Sequence, residues 1–587
     1  MPHAFRVPTR RQFVLGLAAS GGLTALTSSA GKAAPASLTG PDIDLSLGTL
    51  PVNITGRRRM ATVANGSMPG PLLRLREGDI ATIRVSNGLS ETSSIHWHGL
   101  KLPNAMDGVP GLTFAGIPPG ETFTYRFPIV QSGTYWYHSH SGMQEQTGLI
   151  GPMILEPRHP EPYAYDRDYV VMLSDWTDED PMTVMSNLKQ QSDYYNYHQR
   201  TLGTFIRDVR RDGLGRTLDD RLMWGNMRMS PSDIMDVTGA TYTFLVNGLP
   251  PAANWTGLFK PGERVRLRFI NGAAMTTFDV RIPGLDLTIV QADGSDVEPV
   301  TVEEFRIGVA ETYDVIVTPS QDMAHAIFAQ AQDRSGFALA SLAPRLGMAA
   351  AAPPLDPAPL RSMADMGMGG MAMGGHDMAG MDHSAHQKPA SPSSGGGGDM
   401  ADMPGMDHSA HAAAAMPQAA ALRTGPQVDN VMPSPAGRQD EAGTGLDGNG
   451  RGTLRYAQLK ARTAAPLPSG NIREIAFHLT GNMERWIWGF DGKKFSEAPP
   501  VPVKLGETVR FVLINDTMME HPIHLHGFLF ALENGQGERS PLKHTVNVKP
   551  NERVSFVYTA DVPGHWAFHC HLMFHMESGM FRTVVVS

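Results

Sequence analysis

The sequence predicts an all-β chain built from three similar domains, and three observations carry that expectation. Composition is the first: 62 glycines and 45 prolines, with 41% apolar and 18% charged residues, suit many short strands joined by turns. Repetition is the second. "GDIATIRVSN" (78–87), "GERVRLRFIN" (262–271) and "GETVRFVLIN" (506–515) each run from glycine and an acid through alternating side chains to asparagine, the period-2 pattern of a half-buried strand. Length is the third, since 587 residues exceed one core and fit units of about 100–200 residues. Net charge is −9 and there is no basic stripe, which excludes nucleic acid as a partner.

Residues 1–36 read as an export signal. "TRRQFVLGL" (9–17) places paired arginines before the small, apolar run "VLGLAASGGLTAL", the order of a twin-arginine signal cut after Ala34 or Ala36; an uncut anchor is the alternative. Glycine, serine and threonine break the run before about 18 apolar residues accumulate. The mature chain is therefore expected in the periplasm, without membrane association after cleavage. In that oxidising compartment the single cysteine, Cys570, has no internal disulfide partner, so its thiol is either inert and buried or held by something else.

Residues 37–165 form the first expected domain and end near "SGTYWYHSH" (132–140). Residues 166–345 form the second, with a partly helical insertion near 180–238, where "RDVRRDGLGRTLDDRLM" has helical charge patterning. Its "AHAIFAQAQ" (324–332) stands where a histidine pair would be, which argues for a spacer role. Residues 346–468 read as a disordered linker rich in Met and His. "GMDHSAH" occurs there twice, at 380–386 and 405–411, and residues 363–416 hold 11 of the 34 methionines. Residues 469–587 form the third domain, where "PGHWAFHCH" (563–571) aligns with "SGTYWYHSH" and sets Cys570 opposite Ser139.

Four segments concentrate histidine: "HWHG" (96–99), "HSH" (138–140), "HPIHLHG" (521–527) and "HCHLMFH" (569–575) hold ten of the 22. Residues two apart in a strand share a face, so His96 and His98, His138 and His140, His524 and His526, and His569 and His571 form pairs each aimed one way. Eight imidazoles suffice for three metal ions with positions left for a small oxidant. Cys570 points to the opposite face, toward a site that His521, His575 and Met580 can complete. Two His, one Cys and a weak axial Met are the ligands of a blue-copper electron-transfer centre. Zinc also takes His and Cys but has no use for a dedicated thioether. A packed cysteine and incidental His-x-His pairs are the bland alternatives, and they leave the combination unexplained.

These residues resemble the multicopper oxidase family, whose four copper motifs are matched in order. The resemblance implies three cupredoxin-like domains of Greek-key β-barrel or sandwich type. It implies a type 1 copper on His521, Cys570, His575 and Met580, and a type 2 copper on His96 and His524. Two type 3 coppers follow on His98, His138, His140, His526, His569 and His571. Asp107, in "MDGVPG" (106–111), sits where the family keeps an acid that assists proton delivery to oxygen. Some copper-oxidising relatives carry an acid directly after the second type 1 histidine; here that position is Met576, followed by Glu577, so no relay is assigned there.

The family oxidises a donor by single electrons and reduces O2 to water. Thioethers are soft and select Cu(I), so the export signal and the Met/His-rich linker together resemble copper-resistance members of the family. The expected function is to bind excess copper and oxidise Cu(I) to Cu(II), the linker offering further sites for Cu(I) or Cu(II). Met518, Met519, Met573 and Met576 either relay Cu(I) inward or simply pack. Copper ions, O2 and other periplasmic copper-handling proteins are the expected partners of a monomer. A laccase-like oxidase of phenols and a copper-storage protein are the alternatives; an open apolar pocket beside His521 or His575 would favour the laccase.

Overall fold

The computed structural model describes residues 36–367, 422–465 and 471–587. The expected export signal and the Met/His-rich middle of the linker, 368–421, lie outside the described residues. Among the described residues six sheets form, two from each of three consecutive stretches. Residues 37–156 give sheets of four and five strands; 167–343 and 473–586 each give one of five and one of six. Among the described residues no helix is long and apolar enough to cross a membrane.

The glycine-headed segments become the strands Ile80–Asn87, Val265–Asn271 and Thr508–Asn515. Each lies between a parallel partner from the start of its stretch and an antiparallel one from later in it, as Arg473–Asn482 and Arg553–Thr559 flank Thr508–Asn515. The asparagine that ends each strand has the same task. Asn515 Nδ2 donates to the carbonyls of Met519 and Val548 at 2.7 and 3.0 Å, and its Oδ1 accepts from Thr517 N at 2.9 Å. Asn271 makes matching bonds to Thr276 and Ile307, and Asn87 to Glu91 and Ile117. A short amide that satisfies several backbone groups fixes the turn after its strand, and in the third stretch that turn delivers His521.

Alternation predicted a solvated face for Val265–Asn271, yet all seven residues are buried. Arg266 and Arg268 lie on that face at 0% and 1% exposure. Arg266 Nε donates to Asp314 at 2.9 Å; Arg268 Nε donates to Asp168 at 2.6 Å and its Nη1 to Thr134, in the first stretch, at 3.0 Å. Buried charges persist when paired and hydrogen-bonded, so here the polar period encodes an internal contact.

The linker is narrower than the composition of 346–468 predicted. Met366 is fully buried, and Arg361 and Arg438 nearly so. Arg361 N donates to Pro231 O at 2.8 Å and its Nη1 to Thr444 at 2.7 Å; Arg438 pairs with Asp365 at 2.8 Å. The Tyr456 hydroxyl donates to Glu311 at 2.6 Å and accepts from Asn547 N at 3.0 Å. Segments held by side-chain bonds rather than ladders leave no periodic signature.

Three helices occupy the expected insertion: α1 (Pro181–Gln190), α2 (Leu202–Asp212) and α3 (Leu214–Asn226). Asp180 caps α1 by accepting from the N–H groups of Met182 and Thr183, with proline at the first helical position. Thr201 and Thr204 cap α2 reciprocally, and Gly213, at φ 86°, separates α2 from α3. A single turn, α4 (Met573–Glu577), follows the cysteine strand.

Candidate metal centre

Strand pairs from opposite ends of the chain build the site. His96–His98 runs antiparallel to Gly133–His138 with His96 opposite His138, and His521–Leu525 runs antiparallel to Gly564–Cys570 with His524 opposite His569. The two walls meet ring on ring: His96 stacks on His526 at 3.9 Å and His98 on His524 at 3.8 Å. Ligand atoms of His98, His138 and His571 lie within 4.8 Å of one another, as do those of His140, His526 and His569, and of His96, His98 and His524. All eight histidines expected in the cluster are thus brought together.

Their tautomers follow from their second partners. The Nδ1–H groups of His96 and His526 donate to Asp107 O at 2.8 Å and Asp107 Oδ2 at 2.9 Å. Those of His138, His524 and His569 donate to Glu145 Oε2 at 2.8 Å, His544 O at 2.6 Å and Cys570 O at 2.9 Å. Each ring then presents Nε2 as a bare lone pair. The Nε2 atoms of His526 and His569 face each other at 3.0 Å. Those of His96, His138, His140, His524 and His571, and Nδ1 of His98, are buried without a partner among the described residues. Burial holds the pKa of His569 at about 3 and those of His98 and His524 well below the ordinary imidazole value. Protons therefore do not fill this space near neutral pH. Converging buried lone pairs are costly unless a cation satisfies them, and ligand atoms each about 2 Å from one ion stand roughly 3–4 Å apart. The donor set fits metal ions.

Cys570 turns to the other face. Its sulfur lies 3.6 Å from His521 Nδ1 and 3.8 Å from His575 Nδ1, and the two nitrogens are 3.3 Å apart. His575 Nε2–H donates to Asp236 Oδ2 at 2.9 Å and His521 Nε2–H to Thr517 Oγ1 at 2.7 Å, which leaves both Nδ1 lone pairs aimed at the sulfur. Burial pushes the thiol pKa up, so the thiolate that this spacing suits needs a cation beside it. Met580 is fully buried; its carbonyl accepts from Cys570 N at 3.1 Å and its N–H donates to His575 O at 3.0 Å. Trp488 stacks on the His575 ring at 3.8 Å.

Asp107, the one acid named from sequence, is buried with Oδ1 3.4 Å from His96 Nδ1 and Oδ2 on His526. Three further residues escaped the sequence reading. Glu145 joins His138 and, at 3.9 Å, His571; Asp236 holds His575; His544 packs against His98 with ring centroids 4.8 Å apart. The glycine of "HWHG" was the one available hint. Gly99 has φ 81°, and a Cβ there would lie 2.4 Å from His544 Cδ2. A cavity of about 510 Å³, lined in part by Val109, Phe495, Met576 and Glu577, reaches His140. Met518, Met519 and Met573 are buried.

Three segments match the multicopper oxidase family, residues 47–160, 167–345 and 472–587. The chain is 52% identical to Copper resistance protein A of Escherichia coli, across 98% of this chain and 99% of that protein. It is also 52% identical to Copper resistance protein A of Pseudomonas syringae pv. tomato over the same shares. Among solved structures Fet3p, described as a multicopper oxidase that functions in iron import, superposes with a TM-score of 0.63 at 19% identity, covering 93% of this chain and 90% of that one. The matches span all three sheet pairs and the histidine groups join the outer two: the chain belongs to the multicopper oxidase family and is an oxidoreductase.

Proposed function

We propose that this oxidase works in the periplasm, reached by twin-arginine export, where it confers copper resistance by taking electrons from Cu(I) and passing them to O2. In this reading His521, Cys570, His575 and Met580 hold type 1 copper, and His96 and His524 hold type 2. His98, His138 and His571 hold one type 3 copper, and His140, His526 and His569 the other. Bound copper supplies one-electron uptake at the first site and four-electron reduction of dioxygen to water at the other three ions. The chain supplies the rest. Cys570 is joined by one peptide bond each to His569 and His571, so donor side and oxygen side share three consecutive residues. Asp107 and Glu145 fix ring tautomers, and Asp107 Oδ1, buried and without a hydrogen-bond partner among the described residues, is placed beside His96 and His526 to assist proton delivery. The cavity ending at His140 admits dioxygen and releases water.

The observation that carries Cu(I) rather than a phenol as donor is the cover over His575. Its Nε2 edge is buried and occupied by Asp236, whose Oδ1 has no partner among the described residues. Asp233 is also buried with an unpartnered Oδ1; burial first, and Asp236 next, raise its pKa. A closed, acidic approach suits a small cation and not a neutral aromatic ring. Both packed ends of the linker are fastened beside this site. Arg361 lies 3.6 Å from Glu520, next to His521, and Met432 N donates at 2.7 Å to Asp516, next to Thr517. Residues 368–421 would collect copper between those anchors.

O2 uptake by copper-loaded protein with Cu(I) or a phenol tests this, for the intact chain, for Asp236→Asn and for a chain lacking 368–421. The deletion should lower bound copper and Cu(I) turnover while sparing the blue thiolate absorption, and Asp236→Asn should slow Cu(I) more than phenol. Unchanged copper content and Cu(I) turnover after the deletion sinks the collecting role. Faster turnover of phenol than of Cu(I) by the intact chain sinks the donor assignment.

A further inference from the structure

We propose that the hairpin α2–α3 is a surface for peripheral docking on an anionic lipid bilayer. Of the 17 large apolar side chains exposed among the described residues, eight lie between Met182 and Leu222. Leu202 and Ile206 on α2, and Leu214, Leu218 and Leu222 on α3, are 42% to 75% exposed. Their four-residue spacing puts each set on one face of its helix. α2 buries none of its side chains, whereas Thr217 and Trp224 turn another side of α3 into the fold. The apolar faces are thus left uncovered by the described residues, and an apolar stripe of this kind marks a contact surface.

Charge selects the occupant. Residues 200–228 carry seven arginines against four aspartates, net +3, in a chain of net charge −9. Arg211 and Arg221 are paired with Asp212 and Asp208, but Arg207, Arg210 and Arg216 are exposed and form no ion pair among the described residues. Arg210 continues the row of Leu202 and Ile206 at the end of α2, while Arg207 and Arg216 lie away from the apolar rows. An aliphatic stripe bordered and backed by free arginines is the pattern of a helix lying in the headgroup region of a membrane. Tyr194 and Tyr197, 52% and 55% exposed just before α2, add the amphipathic rings that favour that depth. On the two helices themselves the stripe is aliphatic, and the two tyrosines stand beside it rather than at its centre, where the aromatic anchors of folded protein partners sit. The chain leaves α3 through Met227 to Arg228, paired with Glu484 at 3.0 Å, and the following loop carries Asp236 to His575. Docking by the hairpin would therefore set the donor side of the oxidase near the lipid surface, a peripheral contact where the sequence predicted none.

Sedimentation of the copper-loaded full chain with sucrose-loaded vesicles tests the proposal, using phosphatidylglycerol mixed with phosphatidylcholine against phosphatidylcholine alone. The expected result is binding to the anionic vesicles that weakens at high salt. R207Q/R210Q/R216Q should lower the partition coefficient at least about tenfold. L214S/L218S/L222S should do the same, and both variants should keep the blue absorption and copper content of the parent. Absence of binding to phosphatidylglycerol vesicles overturns the proposal, and so does unchanged binding by either variant. Concentration-dependent self-association abolished by the leucine variant, without vesicle binding, would assign the face to a second copy of the chain and likewise overturn it.

Discussion

Gly99→Ala asks whether the residue after the first histidine pair is glycine because His544 occupies the space a side chain would need. The backbone there has φ 81°, and a Cβ would approach His544 Cδ2 to 2.4 Å and Nε2 to 2.8 Å. The left-handed conformation costs an L residue about 1–2 kcal/mol, and overfilling a packed interior costs about 1–3 kcal/mol, so the folded state should lose roughly 2–5 kcal/mol. His544 has little room to retreat. It is fully buried, its amide donates to Asp293 at 3.2 Å, and its carbonyl holds the His524 Nδ1–H at 2.6 Å. Displacing it should therefore disturb ring orientation at His98 and His524, where loss of supporting contacts costs about 10–100-fold in metal affinity. Chemical denaturation and copper titration of Gly99→Ala, His544→Ala and the double variant give the answer. The double variant should be less destabilised than the sum of the singles by about 1–3 kcal/mol, since only the steric share is relieved. Additive effects, or a Gly99→Ala protein with parental stability and copper content, would refute the reasoning.

Cys570→Ser should abolish the blue absorption while the eight-imidazole group still binds copper, because Ser139 shows that the matching strand accommodates serine; retained colour would mean the sulfur site is misplaced. Glu145→Gln keeps an oxygen for His138 Nδ1–H and should load copper within a few-fold of the parent, whereas Glu145→Leu should lose about 10–100-fold in affinity by metal titration. The metal-free protein should lose stability as pH falls. Burial holds His569 at about 3 and His544 at about 4 in the fold, against about 6.5 unfolded. The unfolded chain therefore takes up protons first, and stability present above about pH 6.5 is lost progressively toward pH 4, at about 1.4 kcal/mol per unit for each such group. Thermal melts of metal-free protein between neutral pH and about pH 5 check this, and a flat profile would contradict it.

The candidate ligand residues were legible because metal chemistry and strand geometry both act over short distances in sequence. His-x-His states a shared face, and Cys570, His575 and Met580 fall within one strand, one turn and its return. Their supporting groups obey no such spacing. Asp236 reaches His575 from the loop behind the helical insertion, and Glu145 reaches His138 from a turn with no periodicity. A carboxylate that meets a histidine only through tertiary packing has no local signature. The same division holds for the fold. Period 2 located the three glycine-headed strands, but it could not show that Arg266 and Arg268 face Asp314 and Asp168 rather than water. Nor could composition show that 422–465 is fastened by Arg438, Tyr456 and their partners, since ion pairs across the fold leave the intervening sequence free to look like a linker.

The three strand-ending asparagines carry one last implication. Asn271 shapes its turn in a domain that lacks the histidine pairs of its neighbours, using the same bonds that Asn515 uses ahead of His521. The cradle is therefore a property of the polypeptide and not of its cargo. Apoprotein should already be preorganised, so that loading fills a finished receptacle instead of completing the folding of one.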